Sequence, residues 1–198
     1  MKNILLKSTI FSTILLFCLA CFMFFKINEL PKKNSLSFKE PFNLISHEGK
    51  SISEKVFTLR PTILFFGFTN CPEVCPTTLY EISSWIKELE LSNNQIQVLF
   101  ITLDPNRDTV PKLDEYLSNF DKKFIGLTGN EKDIIELAKT WGIYQKVVLI
   151  DDDYTIDHTS TIFLIDKNQT IKGTIAYRED SVVAVSKIRN LIKKNLNY

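Results

Sequence analysis

The run FGFTNCPEVCP, residues 66–76, decides the fold of this chain. It places Cys71 and Cys75 between two different kinds of local sequence. Residues 62–68 are largely apolar, which predicts a buried β-strand before the cysteines. Residues 77–90 carry apolar side chains at helical spacing, which predicts an amphipathic helix after them. Two thiols therefore lie where a strand passes into a helix.

The beginning of a helix is a favourable place for a thiolate. Pro76 suits the first helical turn, because a proline there gives up no helical hydrogen bond. The partial positive charge at a helix N-terminus stabilises a thiolate relative to the thiol. Thiolates attack disulfides and also bind soft metal ions. Cys71 and Cys75 are therefore candidates for both kinds of chemistry.

The order of the predicted elements indicates an α/β fold. Strands and helices alternate early, which predicts parallel strands joined by right-handed crossovers, and a late hairpin adds antiparallel edges. This arrangement resembles the thioredoxin-like fold, a central mixed sheet flanked by helices, with the cysteines where that fold keeps its redox pair. The predicted strands are 42–45, 62–68, 96–103, 124–127, 161–165 and 170–177, and the predicted helices are 77–90, one capped by Asp108 or Thr109, 130–141 and 180–195.

The N-terminus predicts a membrane anchor. Residues 8–25 contain no charged side chain, and a helix of that length covers about 27 Å, close to the thickness of a bilayer core. We predict a cytoplasmic start and transmembrane signal anchor over residues 1–27, a linker over 28–37 and the exported thioredoxin-like domain over 38–198. A cleaved signal peptide is the alternative. Lipid attachment at Cys21 is disfavoured, because the apolar run continues beyond it.

Composition narrows the compartment and the partners. The chain has 198 residues and a formal net charge of +1, which gives no indication of a nucleic-acid partner. Its short lysine-containing start lacks the Arg-rich character of a mitochondrial transit peptide. We therefore predict a single-pass protein of a bacterial inner membrane, with its C-terminal domain in the periplasm. That domain holds only two of the four cysteines, so disulfides do not staple the fold.

The spacing of the two cysteines permits a metal site. Three residues separate Cys71 from Cys75, which still allows a disulfide and also leaves room for a metal ion between the sulfurs. We expect His158, just before the strand predicted at 161–165, at the same end of the sheet. Two thiolates and one imidazole suit both Cu(I) and Cu(II), whereas structural zinc sites use four protein ligands. The alternative for His158 is a loop histidine with a local hydrogen bond.

Other polar residues near the motif have simpler interpretations. Asp108 is predicted to cap a helix. Asp104 tunes the thiols, orients the nearby loop, or is simply a turn carboxylate held by Arg107. Glu73 is predicted to face solvent, and His47 is predicted to have only a local role in a turn.

The chain resembles the Sco/SenC family of copper-binding assembly factors for cytochrome c oxidase, from about residue 38 onward. Four runs carry the resemblance: FGFT at 66–69, CPEVCP at 71–76, LDPNRDT at 103–109 and DHT at 157–159. It implies copper as the bound metal, with Cys71, Cys75 and His158 as its ligands. One departure is Asn70, where many family members carry a histidine that is not a ligand.

The resemblance also implies partners. The expected acceptor is cytochrome c oxidase subunit II, whose binuclear copper site would receive the metal or have its cysteines reduced. The copper source would be a donor protein or a small-molecule copper pool, and the N-terminal helix would bind the membrane.

Two functions of different classes therefore share the same sulfurs. The first is a metallochaperone, and the second is a membrane-tethered thiol–disulfide oxidoreductase with Cys71 and Cys75 as its catalytic redox pair. His158 favours the first, because disulfide exchange has no need of a distant imidazole. A third possible function is that of a redox-inert scaffold protein, and thiols that do not react with alkylating agents would indicate it.

Overall fold

The computed structural model describes residues 16–23 and 41–196. The chain divides into two compact units, Met1–Ser35 and Leu36–Tyr198. In the first unit, helix α1 covers residues 16–23. The rest of the predicted start and anchor over 1–27 and the predicted linker over 28–37 lie outside the described residues. Within the described ranges, no helix combines the length and apolar character that crossing a bilayer requires.

The second unit contains a mixed sheet flanked by helices. The strands are β1 (Asn43–Ser46), β2 (Ser51–Ser53), β3 (Thr62–Gly67), β4 (Gln97–Thr102), β5 (Phe124–Thr128), β6 (Gln145–Ile150), β7 (Asp153–His158), β8 (Ile162–Ile165) and β9 (Ile171–Ile175). The helices are α2 (Val56–Leu59), α3 (Val74–Glu88), α4 (Val110–Leu117), α5 (Glu131–Thr140) and α6 (Ser181–Leu196). Seven strands form the main sheet in the order β2-β1-β5-β4-β3-β8-β9, while β6 and β7 form a separate pair.

The middle of the main sheet explains why the cysteines lie at one of its edges. Every residue of β3 and β4 is buried, as expected for strands covered by helices on both faces. The two strands are parallel, with Thr62 opposite Gln97 and Gly67 opposite Thr102. Their carboxyl ends therefore meet at the same edge, where the chain enters the loops before α3 and α4. The predicted thioredoxin-like arrangement of a mixed sheet is confirmed.

Helix α5 forms where it was predicted, and one of its side chains faces a different way from the prediction. The Asn130 side chain accepts a hydrogen bond from the backbone N–H of Asp133 at 2.9 Å and caps the helix. Ile134 and Leu137 face the core as predicted. The prediction that Ile135 also faces the core is wrong, since 47% of its surface is exposed. One residue advances the helix by about 100°, which turns Ile135 away from the buried face.

The β6–β7 hairpin was not predicted. Its antiparallel register runs from Gln145 opposite His158 to Ile150 opposite Asp153. The turn uses Asp151 at φ +51°, a left-handed conformation that aspartate tolerates better than most residues. His158 is consequently the last residue of a strand, where a loop was expected.

Candidate metal centre

The two cysteines are held by the loop after β3 and the first turn of α3. The backbone N–H of Cys71 donates to the Phe68 carbonyl at 3.3 Å. Helix α3 begins at Val74, three residues before its predicted start, so Cys75 belongs to the helix. The backbone N–H of Cys75 lies 3.4 Å from the Cys71 Sγ and donates to it. An amide at the helix N-terminus thus points at the first sulfur, as the helix-dipole argument expects.

His158 lies beside these sulfurs. Its Nε2 is 3.7 Å from the Cys75 Sγ, and its Nδ1 is 3.0 Å from the Thr159 carbonyl oxygen. A carbonyl only accepts, so Nδ1 carries the proton and Nε2 of the neutral ring keeps its lone pair. Packing of the imidazole near Phe65 and Phe68, at centroid distances of 6.3 and 5.8 Å, restricts its orientation further.

The structure thus brings together the three side chains that the sequence analysis singled out. The two Sγ atoms and an imidazole nitrogen all lie within 4.8 Å of one another. Cys75 is fully buried, whereas Cys71 and His158 are partly exposed. The local hydrogen bond expected under the alternative interpretation of His158 is also present, and it leaves Nε2 directed at the sulfurs. The donor set, two sulfurs and one nitrogen, fits a soft metal ion.

The two thiols have opposite acidities. A hydrogen bond from Cys75 lowers the pKa of Cys71 to about 4, against the effect of burial, and two backbone amides contribute to the lowering. The pKa of Cys75 is raised far above its usual value by its hydrogen bond to Cys71, by burial and by the charge on Cys71. Without metal, the centre therefore holds a Cys71 thiolate beside a protonated Cys75.

Gly67, the last residue of β3, is required by close packing against the buried thiol. A Cβ at this position would lie 2.8 Å from the Cys75 Sγ and 2.8 Å from the Phe100 ring. Real Cβ atoms do not approach neighbours so closely. A larger residue would displace the sulfur, so this glycine is a constraint of the site that the sequence analysis did not identify.

Asp108 is buried next to the loop that carries the cysteines and accepts several hydrogen bonds there. The prediction that it caps a helix is wrong. No side chain caps α4. Instead, Asp108 Oδ2 accepts from the Thr69 backbone N–H at 3.0 Å and from Thr102 Oγ1 at 2.6 Å. Asp108 Oδ1 accepts from Thr69 Oγ1 at 2.5 Å. Burial raises the pKa of this carboxyl, although these hydrogen bonds oppose the shift. Asp108 thereby ties the loop that precedes Cys71 to the end of β4.

A second cluster fastens the β6–β7 hairpin to the loop after β4. Arg107 forms an ion pair with Asp104 and donates through one nitrogen to Asp153 Oδ1 and to the Tyr154 carbonyl, both at 2.9 Å. The Tyr154 hydroxyl donates to Asp104 Oδ1 at 2.8 Å. The guanidinium also lies 3.7 Å from the centre of the Tyr154 ring. Asp104 is thus held by Arg107, as one interpretation predicted, and the cluster fixes the strand that carries His158.

Two further predictions concern surface residues. Glu73 is 66% exposed, as predicted, and pairs with Arg178 at 2.8 Å. The prediction of a purely local role for His47 is wrong, since its Nδ1 accepts from the backbone N–H of Gly126, on the distant strand β5, at 3.1 Å. Neither residue belongs to the three-residue group around Cys75.

Comparison with known proteins identifies the family to which this chain belongs. The sequence profile of the SCO1/SenC family matches residues 31–193. The chain belongs to this family. The resemblance drawn from the sequence motifs is confirmed, and the matched region of this SCO1/SenC chain contains both cysteines and His158.

Relatives of this SCO1/SenC chain occur in plants and bacteria. The mitochondrial SCO1 homolog 1 of Arabidopsis thaliana is 37% identical over 141 residues, which are 70% of this chain and 42% of the relative. A SCO2-like protein of Rickettsia typhi is 40% identical over 139 residues, which are 69% of this chain and 68% of the relative. The chain thus spans less than half the length of the plant relative.

Solved structures share the fold. The crystal structure of Arabidopsis thaliana ScoI with copper bound is 33% identical, with a TM-score of 0.73 over 78% of this chain and 97% of that one. The thioredoxin-like architecture of this SCO1/SenC chain is therefore the Sco fold.

The acidity of Cys71 predicts a distinctive pH profile for this SCO1/SenC protein. Because the folded-state pKa is about 4, the metal-free protein should keep its Cys71 thiolate from pH 8 to pH 5. An ordinary thiol, with a pKa near 8.5, loses thiolate about tenfold per pH unit over that range. Iodoacetamide labelling read by peptide mass spectrometry should therefore label Cys71 at a nearly constant rate, and unfolded protein should show the ordinary decline. A steep decline in the folded protein would contradict the acidity assigned to Cys71.

Proposed function

We propose that this protein is a copper chaperone that binds one copper ion through Cys71 Sγ, Cys75 Sγ and His158 Nε2. The observation that supports this most strongly is the convergence of the three ligand atoms within 4.8 Å. Thiolates hold Cu(I), and an imidazole nitrogen adds affinity for Cu(II). The partial exposure of Cys71 and His158 leaves the copper accessible for exchange with a partner.

Membership of the SCO1/SenC family supports a proposal for the cellular role. We propose that the copper serves the assembly of cytochrome c oxidase and is delivered to the binuclear site of subunit II, with a donor protein or a small-molecule pool as its source. We further propose a bacterial inner-membrane protein, anchored by residues 8–25, with residues 38–198 in the periplasm. The rickettsial relatives support a bacterial origin, and the uncharged N-terminal run supports the anchor.

His158→Ala tests the three-ligand centre. The variant should lose Cu(II) affinity by more than about 100-fold, since removing even the hydrogen-bond partner of a metal ligand costs 10–100-fold. Its Cu(I) affinity should fall less, because both thiolates remain. Thiolate-to-copper charge-transfer absorption measures Cu(II) binding, and competition with a Cu(I) chelator measures Cu(I). His47→Ala, which removes the other histidine, is the matched control. Full Cu(II) affinity in His158→Ala would exclude the imidazole as a ligand.

A second function, thiol–disulfide exchange, is favoured by the unequal thiols. The partly exposed Cys71 thiolate could attack a partner disulfide, forming a mixed disulfide and releasing one partner thiolate. Cys75 would then pass its proton to the released partner thiolate and attack the Cys71 sulfur, which releases the second partner thiolate and leaves a Cys71–Cys75 disulfide. Two electrons pass from this protein to the partner. Cys75→Ser would trap the mixed disulfide, whereas a chaperone without reductase activity would accumulate none.

A further inference from the structure

Strand β6 presents an apolar edge to solvent. Val147, Leu149 and Ile150 are 57%, 81% and 53% exposed. The strand pairs with β7 on one side, and within residues 41–196 no strand pairs with its other side. Natural proteins guard open strand edges, because unpaired backbone groups beside apolar side chains recruit other chains. Val147 and Leu149 lie on one face of the strand and Ile150 on the other, so exposed apolar side chains flank the open edge on both faces, which indicates an interaction site.

The same strand borders a groove. The cross-strand register places Val147 and Leu149 on the face of the hairpin that carries Tyr154, Ile156 and His158. A groove of about 300 Å³ lies between this face, the loop after β4 and α5. Its apolar lining consists of Leu103, Pro105, Ile134, Ile135, Val147 and Ile156. The exposed Ile135 of α5, unexplained by the core, is therefore a wall of the groove.

Charge at the hairpin turn restricts the occupant. Asp153 pairs with Arg107, whereas Asp151 and Asp152 have no ion-pair partner among the described residues. Two unpaired carboxylates therefore stand at one end of the apolar edge. They disfavour insertion into a lipid surface and favour a segment that carries a basic residue at this end.

The edge is continuous with the metal centre. β6 begins at Gln145, opposite His158, and ends at Ile150, so it extends about 17 Å from the copper ligands. The contacts of Arg107 and Tyr154 fix the hairpin to the loop after β4. A segment laid along β6 would thus be held in a defined position relative to His158.

We propose that the free edge of β6 docks an extended segment of the protein that exchanges copper with this one. The segment adds as an antiparallel third strand. Its apolar side chains fill the groove, and a basic residue near its N-terminus contacts Asp151 and Asp152. The identity of the partner rests on the proposed function, whereas the edge itself can be tested without copper.

The test uses the full-length protein in nanodiscs and a labelled seven-residue peptide amide. The peptide alternates valine and threonine after two N-terminal lysines. We expect saturable binding by fluorescence anisotropy, with slower hydrogen exchange in residues 145–150. Leu149→Ser should weaken binding at least about tenfold, because Leu149 lies on the same face as the groove-lining Val147 and an added strand would cover it. Val182→Ser, a similarly exposed apolar position on α6, should leave it unchanged.

Two further peptides isolate the mode of binding. Glutamates in place of the lysines should weaken binding through Asp151 and Asp152, and N-methylation of alternate amides should abolish it by blocking strand pairing. Undiminished binding to Leu149→Ser, or protection outside residues 145–150, would overturn the proposal. So would a dimer that Leu149→Ser dissociates, which would assign the edge to a second copy. Protection of β6 by the nanodisc alone would assign it to lipid.

The copper affinity of Leu149→Ser separates this inference from the proposed function. The copper ligands are intact in this variant, so its affinity should match that of the unmodified protein. Peptide binding without copper binding would defeat only the copper chaperone proposal. Copper binding without peptide binding would defeat only the docking edge.

Discussion

Cys75→Ser is expected to abolish Cu(I) binding by the folded protein. Cu(I) prefers soft sulfur ligands, and the serine hydroxyl is a hard donor that stays protonated at neutral pH. The remaining Cys71 thiolate and His158 imidazole form an incomplete site. We expect a loss well above the roughly 100-fold that follows from disturbing a ligand through its hydrogen-bond partner alone. Competition against a Cu(I) chelator at neutral pH measures it.

Cys71→Ser should have the same effect, because both sulfurs belong to the proposed site. Cys18→Ser and Cys21→Ser are the matched controls, since these cysteines lie in α1 and outside the three-residue group. Retention of tight Cu(I) binding by either site variant would refute the two-sulfur centre. Loss in the α1 variants would place the copper elsewhere. Circular dichroism of each variant establishes that it is folded.

Asp108→Leu should produce a large loss of stability at a position outside the three-residue group of Cys71, Cys75 and His158. Leucine is similar in size but accepts no hydrogen bond, so the Thr69 N–H and the hydroxyls of Thr69 and Thr102 lose their partner. Each unsatisfied buried group costs about 1–3 kcal/mol. We expect the free energy of unfolding to fall by about 3–5 kcal/mol, a large share of the total for a domain of this size. Urea unfolding followed by tryptophan fluorescence measures it.

Asp108→Asn is the control for that substitution. The amide oxygen can accept from the Thr69 N–H, and the amide nitrogen can donate to a threonine hydroxyl, which rotates to accept. We expect this variant to lose less than half as much stability as Asp108→Leu. Equal losses would mean that shape or charge, and not the hydrogen-bond network, makes Asp108 important. A loss below about 1 kcal/mol in Asp108→Leu would refute a stabilising network altogether.

The β6–β7 hairpin could not be predicted from local sequence patterns. Residues 147–150 are apolar and mostly β-branched, residues 154–156 alternate less clearly, and Asp151–Asp152 supplies a turn between them. Those signals are compatible with a hairpin, but no alternation of buried and exposed residues marks β6, because most of the strand faces solvent. An alternating pattern appears in a sequence only where one face of a strand is buried against the core. Strand β6 has almost no buried face, so its sequence lacks the pattern.

Asp108 shows a different limit. Its position before α4 made capping the nearest local explanation, and Thr109–Pro111 supported a helix start there. The actual partners, Thr69 and Thr102, end or follow two parallel strands. A signal was available, because polar residues at the carboxyl ends of neighbouring strands meet at one edge of a sheet. The partner Thr69, however, is 39 positions away in the sequence.

The sequence alone determined the α/β class, the buried strands β3 and β4, and the position of two thiols at a strand-to-helix junction, because periodicity and capping act between residues near one another along the chain. It also supplied the family through four short motifs. Only the tertiary structure decided that the Nε2 lone pair of His158 faces Cys75, that Asp108 ties the loop before Cys71 to the end of β4 and that β6 keeps an open edge. Each of these features depends on which distant segments the folded sheet brings into contact. Local propensity acts only between residues near one another along the chain and does not determine those contacts.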